Sequence, residues 1–414
     1  MRIPYLTRKS KLRIAAVIVL VAVLGVLALI LSTIGCSNTE ETPSEVTPDS
    51  VVEEEQTSNE SVPAPITLNV TDLISVFDTL DLTDANLTYH GETETTYPAS
   101  TAIRAEGYIE KLKSFVWEEY TPPAEWNGDL GFFCQLTTPD ITITSLQTGY
   151  NNSCPLHLIT DEGEGWFVLP TIGYEDPNAN KQLCWMIYDT FFSWHTETQA
   201  ASLYSGTGTP LTAEEMDYFQ KYTESTWTEY DAEWGGFVSG VTEISCFFTS
   251  LYSDPRDINA GEFLAYCPDE DVLTKEDADE FRLVQEKLDW RVGADNHLAT
   301  FDEFPVPCHR IPRTFLNEIL MKYAGITVEE MHTNWIEEAF YISETDCFYT
   351  FSSDFGPGSF IPCYGEKDGD IVTLWAAPAE YDGSTSMLTL QKSGESWHIL
   401  SVSVKAKRGL SAAR

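Results

Sequence analysis

Groups able to perform metal or acid–base chemistry are plentiful in this chain, but their spacing supports little of that chemistry. The 7 histidines form neither a His-x-His pair nor the helical His-Glu-x-x-His that presents two imidazoles and a base to zinc. The 9 cysteines contain no Cys-x-x-Cys, so no two thiolates are set by local spacing to converge on one centre. A Gly-x-Ser-x-Gly elbow and a Ser-x-x-Lys pair are both missing, which removes the usual activated serines. Asp368-Gly369-Asp370 reads as a hairpin turn between two strands, not as a phosphatase nucleophile loop. Among 65 acids, carboxylate pairs suited to glycoside hydrolysis arise by abundance alone and single out no residue. Asp269-Glu270-Asp271 and Glu276 to Glu280 lack the glycine and terminal glutamate of a calcium loop, and Asp277, Asp279 and Glu280 suit the charged first turn of a helix. No catalytic residue, metal or cofactor is therefore expected.

Charge narrows the partners. With 24 basic residues the formal net charge is -41. Five cations lie in residues 1–13 and four in 405–414, leaving 15 against all 65 acids, or about -50, for the middle of the chain. A polyanion such as nucleic acid would be repelled, because phosphate binding relies on clustered Lys and Arg. Within that acidic middle, the stretch from Asp295 to Arg310 holds His297, His309 and Arg310, the expected ligand contacts, placed in a loop able to draw an anion.

These groups must be positioned by the elements around them. Residues 1–13 carry Arg2, Arg8, Lys9, Lys11 and Arg13, and residues 14–35 then run without a charge. At about 1.5 Å per residue that run spans roughly 33 Å, a bilayer's hydrocarbon core, with the basic flank inside. Two exits fit: an uncleaved single-pass anchor, or lipidation at Cys36 after Gly35. Residues 36–65, rich in Ser, Thr, Glu and Pro, read as a disordered acidic tether.

Beyond the tether, two α+β domains are expected, at 66–204 and 211–404, each with helices packed on an antiparallel meander. In the first, helices are predicted over Val70–Leu80, Ser100–Lys113 and Lys181–Ala201, with four strands starting at Phe132, Ile141, Leu156 and Gly165. Ser205 to Pro210 reads as a flexible joint. In the second, helices over Thr212–Glu224, Thr274–Leu288 and Arg313–Tyr323 precede five strands starting at Cys347, Ser359, Ile371, Ser386 and Trp397. The 8 cysteines beyond Cys36 divide unevenly across this cut and are expected as buried free thiols. A basic tail, 405–414, closes the chain.

The basic start, the apolar run ending in Gly35-Cys36, the Ser/Thr/Glu tether, and the segments LTAEEMDYFQKY, LYSDPRDIN and KYAGITVEEM resemble uncharacterised membrane-anchored surface lipoproteins of Gram-positive bacteria. The resemblance implies a cell-surface location and carries no activity. The expected function is that of an extracellular, membrane-tethered, non-catalytic binding protein, whose partners besides the membrane would be cell-wall polymer or another surface protein. The alternative is an envelope carbohydrate hydrolase with a carboxylate pair not located by sequence.

Overall fold

The computed structural model describes residues 66–91, 94–122, 133–146, 154–169, 183–231, 236–268, 271–292, 296–303, 306–332, 340–351, 358–379 and 383–405. Cys36 and the apolar run at 14–35 lie outside these residues, as does the basic tail after Lys405. Among the described residues no helix is long and apolar enough to cross a membrane. The architecture is α+β, built on antiparallel sheets.

The first sheet has eight strands: β1 (Ile66–Thr67), β2 (Asn86–His90), β3 (Glu94–Pro98), β4 (Glu118–Glu119), β5 (Phe133–Thr137), β6 (Ile141–Leu146), β7 (Leu156–Thr160) and β8 (Gly163–Val168). They run in the order β1-β8-β7-β6-β5-β2-β3, with β4 also on β8, and only the short β1 is parallel to its neighbour. Alternation puts Leu87, Leu136, Ile143, Leu158 and Phe167 on one buried face. Helices α1 (Val70–Thr79), α2 (Ala105–Lys113) and α3 (Leu183–Tyr204) cover it with Leu73, Phe77, Leu112, Phe191 and Trp194. Asn69 starts α1 through a capping box with Asp72. The second predicted helix is shorter than expected, because its first part is a single 3-10 turn at Ala99–Thr101.

The second sheet follows the order β20-β19-β18-β17-β9, comprising β9 (Thr209–Pro210), β17 (Pro362–Asp368), β18 (Ile371–Ala376), β19 (Thr385–Ser393) and β20 (Ser396–Lys405). Two details differ from the sequence reading. The stretch read as a flexible joint supplies the edge strand β9, and Gly206 N–H is held by the Glu366 carboxylate at 2.7 Å. The strand at Cys347 does not belong to this meander. As β16 (Cys347–Phe351) it lies between β14 (Cys308–Pro312) and β15 (Tyr341–Ile342) in a separate three-stranded sheet. Asp368 pairs with Ile371 across a two-residue turn with Gly369 at φ 60°, the hairpin expected there.

Helices α4 (Ala213–Tyr222) and α7 (Arg313–Ala324) pack on this second sheet. The Thr212–Glu215 capping box starts α4, and Gly325, at φ 67°, stops α7 in the left-handed conformation that glycine adopts without strain. The short α5 (Ala260–Ala265) and α6 (Ala278–Leu288), the latter preceded by a Thr274-capped turn, complete the helices used below. Small hairpins form at β10–β11 (Thr226–Asp231, Gly236–Val241) and β12–β13 (Arg291–Val292, His297–Leu298).

The described residues, between 66 and 405, fall in one compact unit. Helix α3 belongs to both sheets: Ile187, Phe191 and Trp194 lie in the first core, whereas Ala200, Ala201 and Tyr204 pack with Cys363, Tyr364 and Trp375 of the second. Arg104 ties the same place. Its backbone N–H and Nε donate to Glu197 of α3 at 2.8 and 3.0 Å, and its Nη1 donates to Gln220 of α4 at 2.8 Å.

Candidate functional site

A cleft of about 50 Å³ opens beside this joint. It is lined by Tyr89 of β2, Thr95 of β3, Phe192, His195, Thr196 and Gln199 of α3, and Ala377 and Pro378 just after β18. Helical spacing accounts for the central wall, since positions 192, 195, 196 and 199 fall on one stripe of α3. The adjacent stripe is fixed in the core, where Trp194 Nε1 donates to the Ala99 carbonyl at 2.9 Å. The opposite rim is tied back on itself: Thr385 Oγ1 donates to the Ala376 carbonyl at 2.7 Å, and Ala379 N–H to the Ser384 carbonyl at 2.7 Å.

His195 is the centre of the cleft. It is 2% exposed and stacks on Tyr89 with ring centroids 4.9 Å apart and planes 26° apart. Its Nε2 lies 3.4 Å from Thr95 Oγ1, and its Nδ1 has no hydrogen-bond partner. Burial pushes the imidazole down to about 4, so at neutral pH the ring is uncharged. A neutral imidazole carries one donor and one acceptor nitrogen, so one of these functions is left unmet. That is a costly arrangement for a buried polar atom, worth about 1 to 3 kcal/mol, unless a ligand completes it.

The lining offers hydroxyl, carboxamide, imidazole and aromatic groups. None of the lining residues is a carboxylate or a thiol. A His–Thr nucleophile pair would need a third group to orient the imidazole through its other nitrogen, and Nδ1 has none. Among the described residues, the two buried glutamates lie outside the lining. Glu197 accepts from Arg104 and from Tyr108 Oη at 2.8 Å, and Glu366 accepts from Gly206 N–H and Tyr364 Oη at 2.8 Å. Both carboxylates are thus engaged in holding the fold. Among the described residues, no three His, Cys, Asp or Glu side chains cluster to hold a metal.

The residues singled out by sequence lie elsewhere. His309 and Arg310 are adjacent on β14, so their side chains leave opposite faces of the strand. Arg310 is gripped by Asp271 through Nε and Nη2 at 2.8 and 2.9 Å, and by Glu280 through Nη1 at 2.7 Å. The Asp271 hydrogen bonds raise its pKa further, so the positive charge is permanent but already neutralised by two carboxylates. His297, on β13, has Nε2 3.3 Å from Glu303. Arg310 therefore serves as the tie between β14 and α6.

The sequence carried one signal for the cleft. His195, Glu197 and Gln199 interrupt a segment dense in Phe, Trp and Ile that reads as a buried helix. A polar residue inside such a segment must either find a partner or face a cavity. No protein family, curated protein or solved structure matches this chain.

Proposed function

We propose that this chain is a membrane-tethered extracellular binding protein, and that the His195 cleft is where it takes its ligand. The ligand class follows from the lining. With an uncharged imidazole, the Thr95 and Thr196 hydroxyls, the Gln199 carboxamide and the rings of Tyr89 and Phe192, the cleft offers hydrogen bonds and aromatic faces but no charge. An uncharged group bearing hydroxyls or amides and one apolar face, such as the end of an oligosaccharide, matches that set. The small volume admits only the tip of such a molecule. The observation that carries the reading is the unpartnered Nδ1 of a histidine that is 2% exposed and lines the cleft.

The acidity of the chain favours the same choice, because a formal net charge of -41 over the whole sequence disfavours anionic ligands. Surface attachment through residues 1–36 would place the cleft where envelope carbohydrate is available.

Titration of residues 64–414, which contain the compact unit, with neutral oligosaccharides and with anionic wall polymers tests this. Binding of a neutral sugar is expected, weakened at least tenfold by His195→Phe with the fold retained, the size of one lost hydrogen bond. Binding indifferent to His195→Phe, or turnover of the sugar by the purified protein, would overturn the proposal.

A further inference from the structure

The polar groups of the cleft are not equally free to meet a ligand. Thr196 Oγ1 donates to the Ser193 carbonyl at 3.0 Å, so its one hydrogen is spent inside α3 and it offers the cleft lone pairs alone. Gln199 stands one helical turn beyond His195, half-buried, and its carboxamide has no hydrogen-bond partner among the described residues. It brings two N–H hydrogens to the cleft. His195 is set among rings, stacked on Tyr89 with Tyr97 tilted beside it at 6.0 Å between centroids. The stack fixes the plane of the imidazole, so a group that completes Nδ1 must approach in that plane, at the ring edge. The remaining wall is apolar. Phe192 meets Tyr89 edge to face at 5.6 Å and stacks on Tyr188 at 5.8 Å, and Pro378 lines the cleft as a buried ring.

We infer that the group this cleft recognises is an acetamido group, that its ligand is therefore an N-acetylated amino sugar and not a plain hexose, and that Gln199 is the residue that reads the amide. The inference rests on the cleft being the ligand site. An acetamido group carries one donor, one acceptor and one methyl, and the lining has a counterpart for each. Its carbonyl oxygen accepts from the Gln199 carboxamide. Its N–H donates to Nδ1 of His195, in the tautomer whose Nε2 hydrogen is directed at Thr95 Oγ1. Its methyl is matched by the apolar wall of Phe192 and Pro378.

The alternatives leave part of the lining unmet. A sugar hydroxyl can serve both polar groups but puts nothing against the apolar wall, and one buried methyl is worth about tenfold in affinity. The unacetylated amino sugar would bring an ammonium to a lining that contains no carboxylate. An acetyl group removes that charge and supplies the methyl at the same position.

The test uses full-length protein in a detergent without a sugar headgroup, titrated by calorimetry with triacetylchitotriose and with cellotriose, which differ only in bearing an acetamido or a hydroxyl group at each second carbon. The acetylated trimer should bind tighter by about tenfold or more, and Gln199→Leu should weaken it by about tenfold with Tm unchanged. The wild-type comparison alone decides the recognised group if the variant fails to fold. Equal affinity for the two trimers, both weakened by His195→Phe, would overturn the acetamido inference and leave the cleft as the ligand site. Binding of neither trimer, or binding indifferent to His195→Phe, would overturn both. Acetyl-selective binding that Gln199→Leu leaves unchanged would overturn the role given to Gln199.

Discussion

His195 and Arg310 are two basic side chains placed under cover in opposite ways. Arg310 keeps its charge because Asp271 and Glu280 accept from three of its nitrogens, and Tyr349 Oη adds a 2.6 Å bond to the second Glu280 oxygen. His195 has no carboxylate, loses its charge to burial, and retains a nitrogen with no partner. The first arrangement is complete and fastens a helix to a strand. The second is incomplete, and it sits in a cleft. Incompleteness, more than basic character, is what points to a ligand.

The joint beside the cleft marks the stable extreme of this comparison. Glu197 is fully buried and satisfied by Arg104 and Tyr108, so Glu197→Ala would leave a guanidinium only 16% exposed without its main partner. A loss of about 3 to 5 kcal/mol is expected, read from urea unfolding of residues 64–414. A loss below about 1 kcal/mol would mean that the joint does not behave as a buried ion pair.

Acid should separate the two basic groups next. The folded pKa of His195 is depressed to about 4 against an ordinary 6.5, so the unfolded chain takes up the proton first. Its contribution is fully present above about pH 6.5 and is lost as pH falls towards 4, a total of about 3 kcal/mol. His195→Phe should remove that part of the stability–pH slope, as followed by urea midpoints from pH 7 to 4. An unchanged slope would contradict a buried neutral imidazole.

Arg310→Met should cost less than the Glu197 change, roughly 1 to 2 kcal/mol, because Asp271 is about half exposed and water can replace the lost charge. It should also leave sugar binding unchanged, and a binding loss there would reinstate the 295–310 loop as the ligand surface. At the far end of the scale, Arg282 and Asp279 are 69% and 96% exposed, and Arg282→Ala should not move the unfolding midpoint.

Local chemistry was legible in the sequence to the extent that local rules decide the structure. The helix starts at Thr212 and Arg313 and the Gly369 turn are fixed by a few neighbouring residues, and they stand where the sequence placed them. Strands β2 and β3 were missed because each is a five-residue piece whose strand character comes from pairing with each other and with β5. The assignment of Cys347–Phe351 to the wrong sheet has a similar cause, since alternation marks a strand but does not name its neighbour. For the site the limit was sharper. Arg310 was conspicuous as a cation in an acidic chain, yet its partners Asp271 and Glu280 lie 39 and 30 residues away and are met only in the fold. His195 was hidden by the apolar helix around it, and its unmet nitrogen depends on β2, β3 and the loop after β18 arriving without a partner for it.

The most direct measurement is nitrogen NMR of residues 64–414 labelled in histidine and titrated with a bound sugar. At pH 7 the His195 ring should show one protonated and one unprotonated nitrogen, and the Nδ1 resonance should move in proportion to occupancy while those of His297 and His309 stay still. A doubly protonated His195 ring at pH 7, or an Nδ1 resonance unmoved at saturation, would contradict the assignment of this cleft as the ligand site.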